Sequence, residues 1–170
     1  MPLTQLANTA IDRVAPDPGS AVGELMGYAG TDLICYRAEA PASLVEHQRH
    51  HWQPLLDDLA RRHDVLLSVH QGIIPHPQPP AALANLGRHL AEQPPFILTG
   101  LAAATRATGS LVIGLALAEG LLSPDQAFEL SQLDESWQIA QWGEDAEATA
   151  RRRALRQEIH DTHRFLTLAR

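Results

Sequence analysis

The segment that most restricts the fold is the charge-free stretch from Ala107 to Ala118, in the most apolar region of the chain. It spans twelve residues, between Arg106 and Glu119. A helix that crosses a bilayer needs about 20 predominantly apolar residues, so this stretch is too short to span one. We therefore expect a helix that is buried in the core of a globular domain, with other helices packed around it.

Helical periodicity continues along most of the chain, and it is interrupted by proline and glycine. With 170 residues, of which 45% are apolar, the chain is long enough for one domain with a substantial core. We predict a mainly α fold, in which residues 1–170 form a single multihelical domain with at most one small two-stranded β element. The predicted helices are Leu3–Val14, Ser20–Gly30, Ser43–Arg62, Ala81–Gln93, Phe96–Thr108, Leu111–Leu121, Ser123–Trp142 and Ala146–Leu168.

Local signals place several helix ends. Ser43 with Glu46, and Ser123 with Gln126, have the spacing of a capping box, in which a side chain at each end bonds to the backbone of the other. Pro54, inside the third helix, predicts a kink or a break there.

One short segment, Val65–Val69, has the composition of a strand. An isolated strand cannot satisfy its own edges, and Leu33–Tyr36 is a candidate partner.

Charge is distributed unevenly. The net charge is −7, but the window from Ala107 to Ala150 contains eight acidic residues and no arginine, so the rest of the chain carries +1. Six arginines lie in the last twenty residues, and lysine is absent from the whole chain. The acidic window argues against nucleic acid and favours a basic protein surface as partner. The absence of lysine excludes phosphate-loop and Schiff-base chemistry that depends on that residue.

Residues that could perform chemistry are present, but their pattern does not indicate an enzyme. His47 and His51 share a helix face, yet the HExxH pattern of zinc proteases is absent, and the histidines after them are scattered over several elements (His63, His70, His76 and His89). Cys35 is the only cysteine, so no internal disulfide can form, and its apolar neighbours predict a buried, inert thiol. We expect no catalytic residues, no metal and no cofactor; a histidine-based metalloenzyme using His47 and His51 remains the less favoured alternative.

The segment Ser131–Asp145, SQLDESWQIAQWGED, contains two of the three tryptophans. On a helical wheel, Trp137 falls on an apolar stripe with Leu130, Leu133 and Ala140, whereas Trp142 falls on the opposite stripe with Ser131, Glu135 and Gln138. If the helix extends to Trp142, this side chain lies away from the core beside a carboxylate and an amide. If the helix ends earlier, Trp142 folds back onto the domain. A tryptophan anchor flanked by polar groups is typical of protein interfaces.

Long blocks of the sequence resemble a known family. LSPDQAFELSQLDESWQIAQWGED, preceded by GSLVIGLALAEG, is similar to the C-terminal core of the ATP-twelve-type chaperones, which assemble the F(1) sector of ATP synthase. Further blocks that resemble this family are MPLTQLANTAIDRV, DLICYRA with WQPLL, and SVHQGIIPHPQP, so the resemblance covers essentially the whole chain. Because MPLTQLANT resembles an internal family segment, we expect the mostly β N-terminal region of the family to be absent here.

The resemblance implies a function. Proteins of this family bind the free α subunit of F(1) until the β subunit joins, without catalysis, membrane insertion or a small-molecule substrate. The resemblance also implies a bacterial cytoplasmic protein whose eukaryotic relatives are in the mitochondrial matrix. By position, it places client binding on Glu135 and its neighbours Asp134, Gln138, Trp142, Gly143 and Asp145. Glu135 either faces the client or pairs with Arg152 or another arginine of the last helix. A helical adaptor for another basic protein is the alternative function.

Overall fold

The apolar segment forms a buried helix, as predicted: all eight residues of Leu111–Ala118 are buried. In this computed structural model, which describes residues 1–170, eight further α-helices surround it. In chain order the helices are α1 (Pro2–Thr9), α2 (Pro18–Ala29), α3 (Ala42–His63), α4 (Pro80–Ala91), α5 (Pro95–Thr108), α6 (Leu111–Ala118), α7 (Pro124–Ser131), α8 (Leu133–Trp142) and α9 (Ala146–Ala169). The predicted mainly α class is confirmed.

Short irregular helices continue two of these elements. A π-helical segment, Ala10–Val14, follows α1, so the predicted first helix is present over its full length. A 3₁₀ turn, Leu33–Cys35, follows α2 and begins at Asp32, whose carboxylate accepts a hydrogen bond from the Ile34 amide at 3.2 Å.

The chain has one parallel strand pair, β1 (Tyr36–Arg37) and β2 (His70–Gln71). The predicted small β element is therefore present, but both strands lie later in the chain than expected. Leu33–Cys35 is held in the 3₁₀ turn instead. Val65–Val69 lacks a strand partner because Gln78 takes that role: its buried amide accepts from the Ser68 N–H at 2.7 Å and donates to the Ser68 carbonyl at 3.1 Å.

Several predicted helix ends need correction. α3 starts after Pro41 without a side-chain cap, and Glu46 pairs with Arg49 at 2.6 Å, so the capping box expected at Ser43 does not form. Pro54 does not end α3. The capping box at the start of α7 is confirmed.

In that box, the Gln126 amide donates to Ser123 Oγ at 3.1 Å, and the Ser123 amide donates to Gln126 Oε1 at 2.8 Å. The helix that follows is broken at Gln132 into α7 and α8, which the sequence did not predict.

Small residues let α5 pack closely against both α6 and α9. A Cβ built on Gly100 of α5 would lie 2.5 Å from Leu166 Cδ2 of α9. A Cβ built on Gly114 of α6 would lie 2.7 Å from Thr105 Oγ1 of α5. Gly100 and Gly114 are thus sites of close helix contact, and the three helices form the centre of the core.

Two buried side chains, Asp32 and Trp52, attach the rest of the fold to this centre through polar contacts. The carboxylate of Asp32, which is fully buried, accepts from Ser110 Oγ at 2.6 Å and from the Val112 amide at 3.1 Å, so it holds the N-terminus of α6. Trp52 of α3 is also fully buried and donates its indole N–H to the Leu130 carbonyl of α7 at 3.0 Å. None of the nine helices reaches the length and apolarity that a bilayer crossing requires.

Candidate functional site

The turn between α8 and α9 positions the residues that the sequence singled out. α8 ends at Trp142, and Gly143 follows with φ 84° and ψ 174°, a backbone conformation that a residue with a Cβ rarely adopts. Asp145 then starts α9, because its Oδ1 accepts a hydrogen bond from the Ala148 amide at 2.7 Å. Gly143 and Asp145 therefore shape the turn that presents Trp142.

Trp142 is strongly exposed. Its relative exposure is 86%, whereas Trp52 is fully buried and Trp137 is half-buried. The helix does reach Trp142, so the alternative in which this side chain folds back onto the domain is wrong. A large apolar side chain held in solvent at a rigid helix end has the properties of an interface anchor.

Three side chains share the outward face of α8. Glu135, Gln138 and Trp142 are spaced i, i+3 and i+7, which places them on one side of a helix, and we call them the α8 face. Ser131, which the helical wheel grouped with them, lies on α7, is buried and bonds to the Phe128 carbonyl. The break at Gln132 is the reason for this difference.

Glu135 pairs with the protein's own arginines. Its Oε1 accepts from Arg151 Nη2 at 2.7 Å, and its Oε2 lies 3.6 Å from Arg152 Nη1. The Glu135 side chain is 31% exposed and that of Arg151 is 63% exposed. Glu135 is thus neither free nor deeply buried, and its main partner is accessible to solvent.

Arg152 connects α9 to α8 more firmly than Arg151 does. Its side chain is 15% exposed; it donates to Ser136 Oγ at 2.8 Å and its Nε lies 3.4 Å from Glu144 Oε1. This network fixes the angle between the two helices.

Asp134 has an inward contact instead. Its Oδ1 accepts from Gln48 Nε2 at 2.7 Å, and Gln48 Oε1 in turn accepts from the Ala38 amide at 2.8 Å. Gln48 is buried, so this chain of hydrogen bonds fastens α8 to α3 and to the end of β1. Asp134 therefore supports the position of α8 and does not belong to the α8 face.

The acidic window does not present a free acidic surface. Five of its eight carboxylates are ion-paired within the chain: Glu135 and Glu144 with arginines of α9, as described, Asp125 and Glu129 with Arg156, and Glu119 with Arg62. Hydrogen bonds from His160 and Arg156 hold the pKa of Asp125 below its usual value. Three of the six arginines at the end of the chain, Arg151, Arg152 and Arg156, pair with four of these carboxylates, and Arg62 of α3 pairs with the fifth.

The structure does not support the earlier metalloenzyme alternative. The rings of His47 and His51 lie 4.5 Å apart, but no third histidine, cysteine or carboxylate joins them in a ligand cluster. Burial, followed by the nearby charge of Asp32, raises the pKa of the Cys35 thiol to about 12, which opposes a role as nucleophile.

Comparisons with known proteins agree with the fold. A family model described as ATP12 chaperone protein matches residues 1–60. The crystal structure of Atp12 from Paracoccus denitrificans has a TM-score of 0.94 and 40% identity to this chain, and the match covers 100% of this chain and 73% of that one. The D202K mutant of the same P. denitrificans protein gives a TM-score of 0.95 with the same identity and coverage. The Atu1473 protein from Agrobacterium tumefaciens gives a TM-score of 0.92 at 35% identity, and the match covers 100% of this chain and 64% of that one.

The family model describes a chaperone, and one of the structures that match this chain over its whole length is described as a putative chaperone, so the fold is that of a chaperone. The chain belongs to the ATP12 chaperone family.

Proposed function

We propose that the chain is an assembly chaperone that binds the free α subunit of the F(1) sector of ATP synthase and shields it until the β subunit joins. It acts in the bacterial cytoplasm as a binding protein, without a catalytic site and without a small-molecule substrate. Family membership supports the assembly role, and the exposure of Trp142 is the observation that carries the choice of surface.

The binding energy comes mainly from Trp142. An unpaired α subunit exposes apolar surface that would otherwise contact β, and such surface promotes aggregation. A buried tryptophan contributes about 150–250 Å² of contact area, and burial stabilises by about 25 cal/mol per Å². Because 86% of Trp142 is accessible, its burial against the client yields at most about 3–5 kcal/mol before the costs of association.

Glu135 supplies an exchangeable polar contact. The ion pair between Glu135 and the exposed Arg151 lies near the surface, where such pairs contribute about 0–1 kcal/mol. A basic side chain of the client can therefore replace Arg151 at little cost. An interface of this kind protects the α subunit and still allows the β subunit to displace the chaperone.

The test is co-purification of the α subunit with tagged variants of the chain. Trp142→Ala is expected to weaken the affinity for the α subunit by at least about 30-fold, which corresponds to about 2 kcal/mol for the loss of an anchor residue. Less α subunit is then retained. Circular dichroism is expected to stay unchanged, because the side chain packs little in the fold. Equal retention of the α subunit by Trp142→Ala and the wild type would refute the assignment of the α8 face.

Leu168→Ala is the matched control. Leu168 is 72% exposed, so this substitution also removes exposed apolar surface. It lies 22 residues after the start of α9, about 33 Å along the helix from the turn that presents Trp142. We expect Leu168→Ala to retain as much α subunit as the wild type does.

Glu135→Gln measures the polar contribution separately. The neutral amide keeps the size of the side chain, whereas a lysine at this position would face Arg151 and Arg152 and disturb the junction of α8 and α9. We expect a smaller loss of affinity than for Trp142→Ala. A loss of folded structure in Glu135→Gln would instead assign Glu135 a purely structural role.

A further inference from the structure

Three side chains with metal-ligating atoms meet where the ends of three helices converge. His63 is the last residue of α3, His89 lies in the last turn of α4, and Glu119 directly follows α6. One ligand atom from each of these residues lies within 4.8 Å of the other two. All three side chains are mostly buried, with exposures of 17%, 22% and 19%.

One of the two distances from Glu119 to the histidines matches a tetrahedral metal site, and the other is shorter. Glu119 Oε1 lies 2.6 Å from His63 Nε2 and 3.4 Å from His89 Nε2. Zinc bonds of about 2.0–2.1 Å place two tetrahedral ligand atoms about 3.3–3.4 Å apart. The distance from Glu119 Oε1 to His89 Nε2 already has this value, and the distance to His63 Nε2 reaches it if it lengthens by about 0.7 Å.

Arg62 positions the carboxylate and leaves one oxygen available. Its Nη1 lies 2.8 Å from Glu119 Oε2, the oxygen that does not face the histidines. Oε1, which faces both histidines, is therefore the carboxylate oxygen available to a metal ion.

We propose that His63, His89 and Glu119 bind one Zn²⁺ ion, with a water molecule as the fourth ligand. Two imidazoles and one carboxylate suit Zn²⁺, whereas Mg²⁺ and Ca²⁺ select sites made of oxygen atoms alone. Arg62 acts as the outer partner that orients the ligating carboxylate. The ion joins the C-terminal ends of α3, α4 and α6 and stabilises the fold, because it binds the folded chain.

The experiment titrates ZnCl₂ into chelator-treated protein against a chromophoric competitor. The wild type is expected to bind one equivalent of Zn²⁺, and the melting temperature is expected to rise by about 5–10 °C at a free Zn²⁺ concentration 100 times Kd. His63→Gln and His89→Gln, on two different helices, are each expected to weaken this site by at least about 100-fold.

The control is the double variant His47→Gln/His51→Gln, which removes the exposed histidine pair of α3. It is expected to keep the site and the rise in melting temperature. Melting each variant without metal shows whether it folds, and the two single variants provide independent tests. The proposal is overturned if the wild type binds no stoichiometric Zn²⁺, if either single variant keeps wild-type affinity, or if the control loses the site.

Discussion

The close packing of α5 against α9 makes Gly100→Ala a sensitive test of the core. The added Cβ would lie 2.5 Å from Leu166 Cδ2 and 2.7 Å from Leu166 Cγ. Normal contacts between carbon atoms are about 3.5–4.0 Å, so both distances are about 1 Å too short. Leu166 is fully buried and its Cγ is a branch point, so the side chain cannot move away without displacing α9.

The expected loss of stability follows from two opposing effects. Overpacking of a well-packed core costs about 1–3 kcal/mol, and the double clash with Leu166 places Gly100→Ala in the upper part of that range. Alanine in place of glycine inside a helix returns about 1 kcal/mol. We expect a net destabilisation of about 1–2 kcal/mol, or a decrease in melting temperature of about 2–8 °C for a chain of this size.

Urea denaturation measures this difference, and Gly23→Ala is the matched control. Gly23 also lies inside a helix, α2, but is exposed, and nothing lies within 4 Å of the Cβ that would be added. The same substitution is therefore expected to stabilise the protein by about 0.5–1 kcal/mol there. Stability of Gly100→Ala equal to or above that of the wild type would refute the packing of α5 on α9 described here.

Two further predictions concern buried polar groups. Burial raises the pKa of Asp32 to about 6, despite the hydrogen bonds that it accepts, so its contribution to the free energy of unfolding is greatest below about pH 4 and is lost as the pH rises through about 6. The raised pKa corresponds to about 3 kcal/mol of free energy. Urea denaturation of the wild type and of Asp32→Asn between pH 4 and 7 should therefore show a difference in stability that changes by about this amount. A difference that stays constant with pH contradicts the raised pKa of Asp32. Trp52→Phe removes the donor to the Leu130 carbonyl and is expected to cost about 1–3 kcal/mol in the same assay, whereas a cost below about 0.5 kcal/mol would show that this bond does not hold α3 to α7.

Local sequence patterns predict most of the helices, but they do not predict which residues meet through the tertiary fold. The charge-free run predicted the buried α6, and the Ser123 box predicted the start of α7, because both depend on residues that are neighbours in sequence. The predicted strand Val65–Val69 does not form, and the side chain of Gln78 bonds to the Ser68 backbone there, a contact that strand propensity does not predict. The capping box at Ser43 does not form because α3 begins one residue earlier, after Pro41, so Ser43 lies inside the helix.

The candidate site shows the same limit. Helical spacing placed Glu135, Gln138 and Trp142 on one face, and an arginine of the last helix was foreseen as a partner for Glu135. The break at Gln132 was not foreseen, because no proline or glycine marks it. His63 and Glu119 are 56 residues apart, so only the tertiary fold brings their side chains together.

The most direct test of the central claim is the affinity of the purified chain for the isolated α subunit, compared with α subunit already assembled with β. Titration calorimetry of both forms provides this comparison. We expect saturable binding to the free α subunit, weakened by at least about 30-fold in Trp142→Ala, and no binding once the β subunit covers the same surface. Absence of binding to free α subunit, or equal binding to the assembled form, would contradict it.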